Sequence, residues 1–179
     1  ICNYIHLPVQ SGSSRILKLM NRGYNRDWYI NRINKIREII PNCGISHDII
    51  SSFCTESEKD HNDTLSLMEE VKFDYGYMFK YSERPNTKAA RKFKDDVSEN
   101  VKSRRLSEII EKQRIHSLIK NREKVGNTYK VLVEGKSKKS NDFLYGRTTH
   151  NLVTIFPKKK FSPGDYVKIK IKDCNSATL

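Results

Sequence analysis

From Gly126 onward the hydrophobic period of the chain changes from about 3.6 residues to 2, and this change constrains the fold more than any other feature. Tyr166-Val167-Lys168-Ile169-Lys170-Ile171-Lys172 alternates without a break. Apolar side chains on one face and lysines on the other describe a strand with one buried and one wet side. Residues 128–134, 143–145 (ahead of Gly146-Arg147) and 152–156 read as further short strands. Ser162-Pro163-Gly164-Asp165 is a turn. Short strands at this spacing predict a small OB-like β-barrel over residues 125–179, with one basic wall.

The preceding residues follow the other period. The apolar run Ile1, Cys2, Tyr4, Ile5, Leu7 is closed by Pro8 and reads as a buried strand, with His6 as a hydrogen-bonded core residue. Gln10-Ser11-Gly12-Ser13-Ser14 then leads into the helical Arg15-Ile16-Leu17-Lys18-Leu19-Met20. Asn25 caps a second helix carrying Tyr29, Ile33, Ile36 and Ile40, which Pro41 ends. An apolar strand over 45–53 follows, then Thr55 with Glu58 as a capping box for a helix that buries His61, Leu65, Met68 and Val71. Residues 75–81 form another strand. Strands alternating with helices imply parallel βα units, and about three are present over 1–96, half of a TIM-like barrel. A long helix over 97–124, capped by Asp96 and Glu99, places Val101, Leu106, Ile109, Ile110, Leu118 and Ile119 on an apolar face. On this reading Arg104, Arg105, Lys112, Arg114, Lys120 and Arg122 are solvated.

Of 179 residues, 34 are Lys or Arg and 21 Asp or Glu, a net charge of +13 that is unevenly spread. It is +2 over residues 1–96, +4 over 97–124 and +7 over 125–179. The C-terminal region is therefore where a polyanion is expected. No run approaches a membrane span, and the cysteines (2, 43, 54 and 174) lack cluster or zinc spacing. Scattered cysteines without a secretory leader suit a reducing, cytoplasmic setting.

Three strand ends carry candidate ligand residues. Gln10, Ser11 and Ser13 can offer hydroxyls and amides to a polar ligand, or fill an ordinary βα turn. Asp48 is the one acid in an apolar strand. It requires either a ligand's donors or those of a neighbouring backbone or lysine. Arg84 is either a fork for a carboxylate or phosphate, or a surface residue stiffened by Pro85. In the β region, Lys136, Lys138 and Lys139, with Lys158, Lys159 and Lys160, lie in loops between strands. Such lysines bind phosphates, and Phe143 and Tyr145, with Arg147 beyond, can stack on bases. The competing reading is that the lysines keep edge strands soluble.

The literal residues add a resemblance. HLPVQSGSSRILKLMNRGY with the RDWY that follows, DIISSFCTESEKDHNDTLSLMEEV over 48–71 and YMFKYSERPNTKAA over 77–90 closely resemble the tRNA methylthiotransferases of the radical S-adenosylmethionine enzymes. VLVEGKSKKSNDFLYGRTTHNLVTIF resembles the TRAM domain, a small RNA-binding module. The resemblance implies the C-terminal portion of a longer enzyme. Residues 1–96 would be the end of its radical barrel, 97–124 a connecting helix and 125–179 the TRAM domain. The whole enzyme would add a methylthio group to an isopentenyl-adenosine beside the tRNA anticodon. Its cofactors would be S-adenosylmethionine and two 4Fe-4S clusters, with the cluster ligands outside this chain. Its partners would be the anticodon stem-loop and the preceding part of the same protein, with no membrane. A sibling acting on threonylcarbamoyl-adenosine, or a piece acting only as an RNA-binding module, is the alternative. The resemblance carries Asp48 over to S-adenosylmethionine; Gln10, Ser11, Ser13 and Arg84, as strand-end candidates, complete the expected cofactor-binding set, and no catalytic residue or metal ligand is expected in this chain. Ser52 and Cys54-Thr55 stand where the family usually has glycine and Pro-Gly, and Asn86 where it has glycine.

Overall fold

The computed structural model describes residues 2–138 and 140–179. In chain order the elements are β1 (Tyr4–His6), α1 (Ser14–Leu19), α2 (Arg26–Ile39), β2 (Gly44–Ser51), α3 (Glu58–Val71), β3 (Tyr75–Lys80), α4 (Lys88–Lys92), α5 (Glu99–Arg122), β4 (Thr128–Lys136), β5 (Phe143–Thr148), β6 (Val153–Pro157) and β7 (Tyr166–Lys170). They form two compact units: His6–Pro41 with Ile45–Gln113, and Ile1–Ile5 with Asn42–Gly44 and Arg114–Leu179. The expected order, parallel α/β followed by antiparallel β, is the order found.

The α/β unit is built on a sheet ordered β1-β2-β3. β2 and β3 run parallel with Asp48 opposite Tyr77 and Ile50 opposite Phe79, and Gln10 adds a parallel bridge to Ile49 beyond the end of β1. Parallel neighbours need crossover helices, which α2 and α3 supply. Asn25 caps α2 as expected, accepting from the Trp28 N–H, and Tyr29 and Ile33 are its buried residues. Ile16, Leu17, Ile45, Ile49, Leu67, Met68 and Phe73 are fully buried. At about 1.5–3 kcal/mol for each large apolar side chain, they dominate the stabilisation of this unit.

Three expectations about helix ends and faces are corrected. The capping box of α3 is Ser57 with Asp60, not Thr55 with Glu58. Thr55 instead has φ 63°, a left-handed conformation unlike the extended backbone of an N-cap residue. Asp96 does not cap α5: its Oδ1 accepts from the Thr55 N–H at 2.7 Å. The apolar face expected for α5 is mostly not the buried one. Lys102, Arg105, Gln113, His116, Ser117 and Asn121 are buried beside Ile109, while Ile110, Ile115 and Ile119 are exposed. Within the α/β unit this face is held by charge and hydrogen bonding. Lys102 Nζ lies 2.5 Å from Asp95 Oδ2, Arg105 bonds Glu56 and Glu58, and Gln113 bonds the His47 ring at 2.9 Å. A helix that docks through ion pairs leaves no apolar period to read.

The β unit carries a four-stranded antiparallel sheet ordered β6-β5-β4-β7. Its core is Val131, Val133, Leu144, Phe156 and Val167, with Tyr129, Phe161 and Ile169 packed against it. A bulge between Val133 and Gly135 shifts the β4–β5 register and curls the sheet. Leu179 exchanges backbone bonds with Val153 and Ile155 along the outer edge of β6. Among the described residues, no helix is long and apolar enough to cross a membrane.

Candidate cofactor site and nucleic-acid interface

The loop after β1 is fastened to α3. Ser13 caps α1 through the Ile16 N–H, and its hydroxyl donates to Asp60 Oδ1 at 2.6 Å. Ser11 Oγ accepts from the Ser13 N–H at 3.2 Å, and the Gly12 N–H donates to Thr64 Oγ1 at 2.9 Å. Only glycine fits at position 12, since a Cβ would lie 2.4 Å from the Asp63 carbonyl oxygen. Ser11 and Ser13 are therefore buried within protein hydrogen bonds, which makes them scaffold for the loop. Gln10, with φ 72° and 7% exposure, pairs its backbone with Asp48 and Ile50.

Asp48 has a different setting. Its side chain is 30% exposed, and His6 Nε2 lies 3.4 Å from its Oδ1. The other ring nitrogen of His6 is 2.7 Å from Ser46 Oγ, and Tyr77 packs edge-on against the ring. His6 is thus hydrogen-bonded as expected but lies on the exposed sheet face, because β1 is an edge strand with its even residues turned outward. His6 and Asp48, beside Tyr77, are the partly exposed members of this Ser46–His6–Asp48 row and can meet a ligand's hydroxyl or amino groups, while Ser46 is fully buried. Gln10 and Asp48 come together through the backbone. Arg84 does not join them: it is exposed, in a loop where Asn86 takes φ 66° and the Arg84 carbonyl accepts from Thr87 Oγ1.

Sequence reasoning missed Asp60 and Glu56, whose partners lie far along the chain. Burial would push Asp60's carboxyl up, but hydrogen bonds from Arg15, Ser13 and Ser57 hold it well below the usual carboxylate range. Glu56 is 6% exposed, and burial pushes its carboxyl up to about 7, against the pull of the Ser52 N–H and Arg105. It receives the Ser52 N–H at 2.9 Å and so braces a loop containing two strained residues. Ser52 (φ 61°) and Thr55 (φ 63°) both lie in the left-handed region, where a side chain costs about 1–2 kcal/mol. Ser52→Gly and Thr55→Gly should each stabilise the α/β unit, by about 0.5–1 kcal/mol after the greater freedom of unfolded glycine is deducted. Urea unfolding checks this, and a loss of stability in both variants would show the left-handed residues are not strained.

Cys43 and Cys54 are buried, Cys174 half-buried and Cys2 exposed, all as free thiols. Among the described residues no group of three His, Cys, Asp or Glu could hold a metal.

In the β unit the described candidate lysines lie at one end of the sheet. Lys136 ends β4 opposite Leu144, and Phe143 begins β5 opposite Pro157. The Ser137 N–H donates to the Phe143 carbonyl and the Lys158 N–H to the Asp142 carbonyl, which ties the loop carrying Lys138 to the one carrying Lys158, Lys159 and Lys160. Lys139 lies outside the described residues. Phe143 is 39% exposed on the same strand face as Tyr145 and Arg147. Tyr145 lies over Gly135, and Arg147 is already engaged by Glu134 at 3.3 Å and by Asn151.

Residues 122–179 match the TRAM domain family. The full 179 residues are 58% identical to a tRNA-2-methylthio-N(6)-dimethylallyladenosine synthase of Christiangramia forsetii, and 58% identical over 180 aligned residues to one of Amoebophilus asiaticus. A Chloroherpeton thalassium synthase of the same name is 54% identical. All of this chain is covered, but it spans only 37–40% of these relatives. A solved Escherichia coli coproporphyrinogen III oxidase, described as a radical SAM enzyme, superposes on 82% of the chain, and on 41% of its own, with a TM-score of 0.56 at 17% identity. That likeness speaks to fold alone. Over its whole length the chain is thus similar to the C-terminal part of proteins named tRNA-2-methylthio-N(6)-dimethylallyladenosine synthase, and residues 122–179 carry a TRAM domain.

Proposed function

We propose that this chain is the C-terminal part of a cytoplasmic enzyme that adds a methylthio group to isopentenyl-adenosine in tRNA. Its β unit would hold the anticodon stem-loop, and its α/β unit would contribute one wall of the S-adenosylmethionine site. The observation that carries the nucleic-acid part is the joining of the Lys136–Lys138 loop to the Lys158–Lys160 loop by backbone bonds. Five described lysines and the exposed Phe143 ring share that end of a domain with a net charge of +7.

S-adenosylmethionine, when bound, supplies the methyl group and the radical precursor; the cluster ligands belong to the part of the protein outside this chain. Of the residues present, Asp48 fits best. Its carboxylate, oriented by His6, can accept from ribose hydroxyls or an amino group. Ser11 and Ser13 hold the loop in place, and Arg84 is left for a carboxylate or a phosphate.

Phosphate contacts release counterions, so binding should weaken linearly in log–log terms as salt rises, by about 0.7–0.9 per contact. Lys136→Ala with Lys138→Ala should therefore lower the slope by about 1.5 and weaken an anticodon stem-loop and an unrelated hairpin alike. Fluorescence anisotropy of the 179-residue chain measures this. Parent-like affinity and slope in the double variant would refute the interface. For the enzyme, the test is nucleoside analysis of tRNA from cells lacking the whole protein: the methylthio nucleoside should be lost and its isopentenyl precursor should accumulate.

A further inference from the structure

On the solvent face of the sheet, away from the loop lysines, β4 and β7 build a second basic strip around one aromatic ring. Antiparallel pairing sets Lys130 opposite Lys168, Thr128 opposite Lys170 and Leu132 opposite Tyr166. Lys130, Tyr166, Lys168 and Lys170 are all exposed, while Val131 and Val167 between them are buried. Tyr166 is 64% exposed, the ammonium of Lys130 sits 4.4 Å from its ring centroid, and none of these register pairs includes an acid.

This arrangement is costly unless something anionic covers it. Like charges placed directly opposite on an antiparallel pair repel, and a phenol ring more than half in water gives up burial. Lysines on an edge strand have an ordinary explanation, since they deter pairing with other chains. That explanation covers Lys168 and Lys170 on β7 but not Lys130, because β4 lies inside the sheet between β5 and β7. Residues two apart on a strand are separated by about 6.8 Å, a step comparable to that between neighbouring phosphates of an extended nucleic-acid strand. A cation on one side of the Tyr166 ring leaves the ring available to stack on a base, and every base has a face to offer.

We propose that Lys130, Tyr166, Lys168 and Lys170 form a separate contact for single-stranded RNA, with Tyr166 as the stacking residue and the lysines on successive phosphates. The inference rests on the proposed tRNA-binding reading and adds a track that the end-loop lysines do not supply. A segment flanking the paired stem is the chemistry that fits, because bases within a duplex are already stacked.

The experiment uses the 179-residue chain, a fluorescein-labelled oligouridylate, a blunt RNA hairpin of similar charge and polyglutamate. Tyr166→Ala should weaken the oligouridylate by about 5- to 150-fold with the salt slope unchanged, and Tyr166→Phe should restore binding. Lys130→Gln with Lys168→Gln should lower the slope for the oligouridylate by about 1.4. The hairpin should respond to neither set but should respond to loss of Lys136 and Lys138. If the loop variants weaken hairpin binding while all strip variants bind the oligouridylate like the parent, this inference fails and the tRNA-binding reading stands. If the parent binds neither RNA at low salt, both fail. Polyglutamate displacing the oligouridylate at equal charge would overturn the inference in favour of an acidic protein. Thermal unfolding of each variant confirms that the sheet is intact.

Discussion

Asp60→Ala should cost the α/β unit about 2–4 kcal/mol, because one carboxylate satisfies donors from three places in the chain. Its oxygens accept from the Ser13 hydroxyl at 2.6 Å, the Ser57 hydroxyl at 2.6 Å, the Ser57 N–H at 2.9 Å and the Arg15 guanidinium at 2.6 Å. Arg15 is half exposed and can turn to water, so the ion pair itself accounts for little of the loss. Most of it comes from the buried Ser13 hydroxyl, the lost α3 capping box and the loop that these bonds tether. The pH dependence separates charge from packing. Asp60's carboxyl is depressed in the folded state, so its stabilisation is complete above the unfolded value of about 3.9 and disappears as pH falls below that value. Asp60→Asn should be destabilised at neutral pH and should lose less stability than the parent between about pH 4 and 2. Urea midpoints at neutral and acid pH test both statements. Parallel acid limbs in parent and Asn variant would show that the carboxylate is not what holds this corner.

Gly146→Ala should be comparably harmful in the β unit. A Cβ at position 146 would lie 2.1 Å from the Leu132 carbonyl oxygen and 2.8 Å from Val131 Cγ1. The first of these is backbone of the neighbouring strand, so no rotamer change relieves it and β4 and β5 must separate. Overpacking of this kind costs about 3 kcal/mol, which for a domain of this size lowers the unfolding temperature by on the order of 15 °C. Amide hydrogen exchange across residues 128–148 should rise in step. A variant that melts within 2–3 °C of the parent, roughly the shift from less than 1 kcal/mol, would show that the sheet yields where it is drawn tight.

The fold was largely legible because its strands and most of its helices bury apolar periods. The alternation in β7, the Asn25 cap and the Pro41 stop each put an element within a residue or two of where it lies. α5 was legible as a helix but not in its orientation, since its buried face carries Lys102, Arg105 and Gln113, which read as solvent-facing in any sequence pattern. For the same reason the candidate site was half legible. Asp48 and the loop lysines announce themselves by residue type and place. That Ser13 answers to Asp60, 47 residues later, could not be seen. Nor could the left-handed Thr55, whose identity suggested a cap.

The bulge at Val133–Gly135 has a consequence for how the β unit meets a polyanion. The β4–β5 register skips Glu134 here, and its carboxylate lies 3.3 Å from Arg147 Nε. On the proposed tRNA-binding reading, Arg147 would then act as a latch held by an internal carboxylate, and a phosphate would compete with Glu134 for it. On the same reading, the lysines at the loop end would draw the strand in from a distance. Arg147 would engage only a strand already close enough to compete for that pair, and the domain would then separate capture from commitment along the length of one strand.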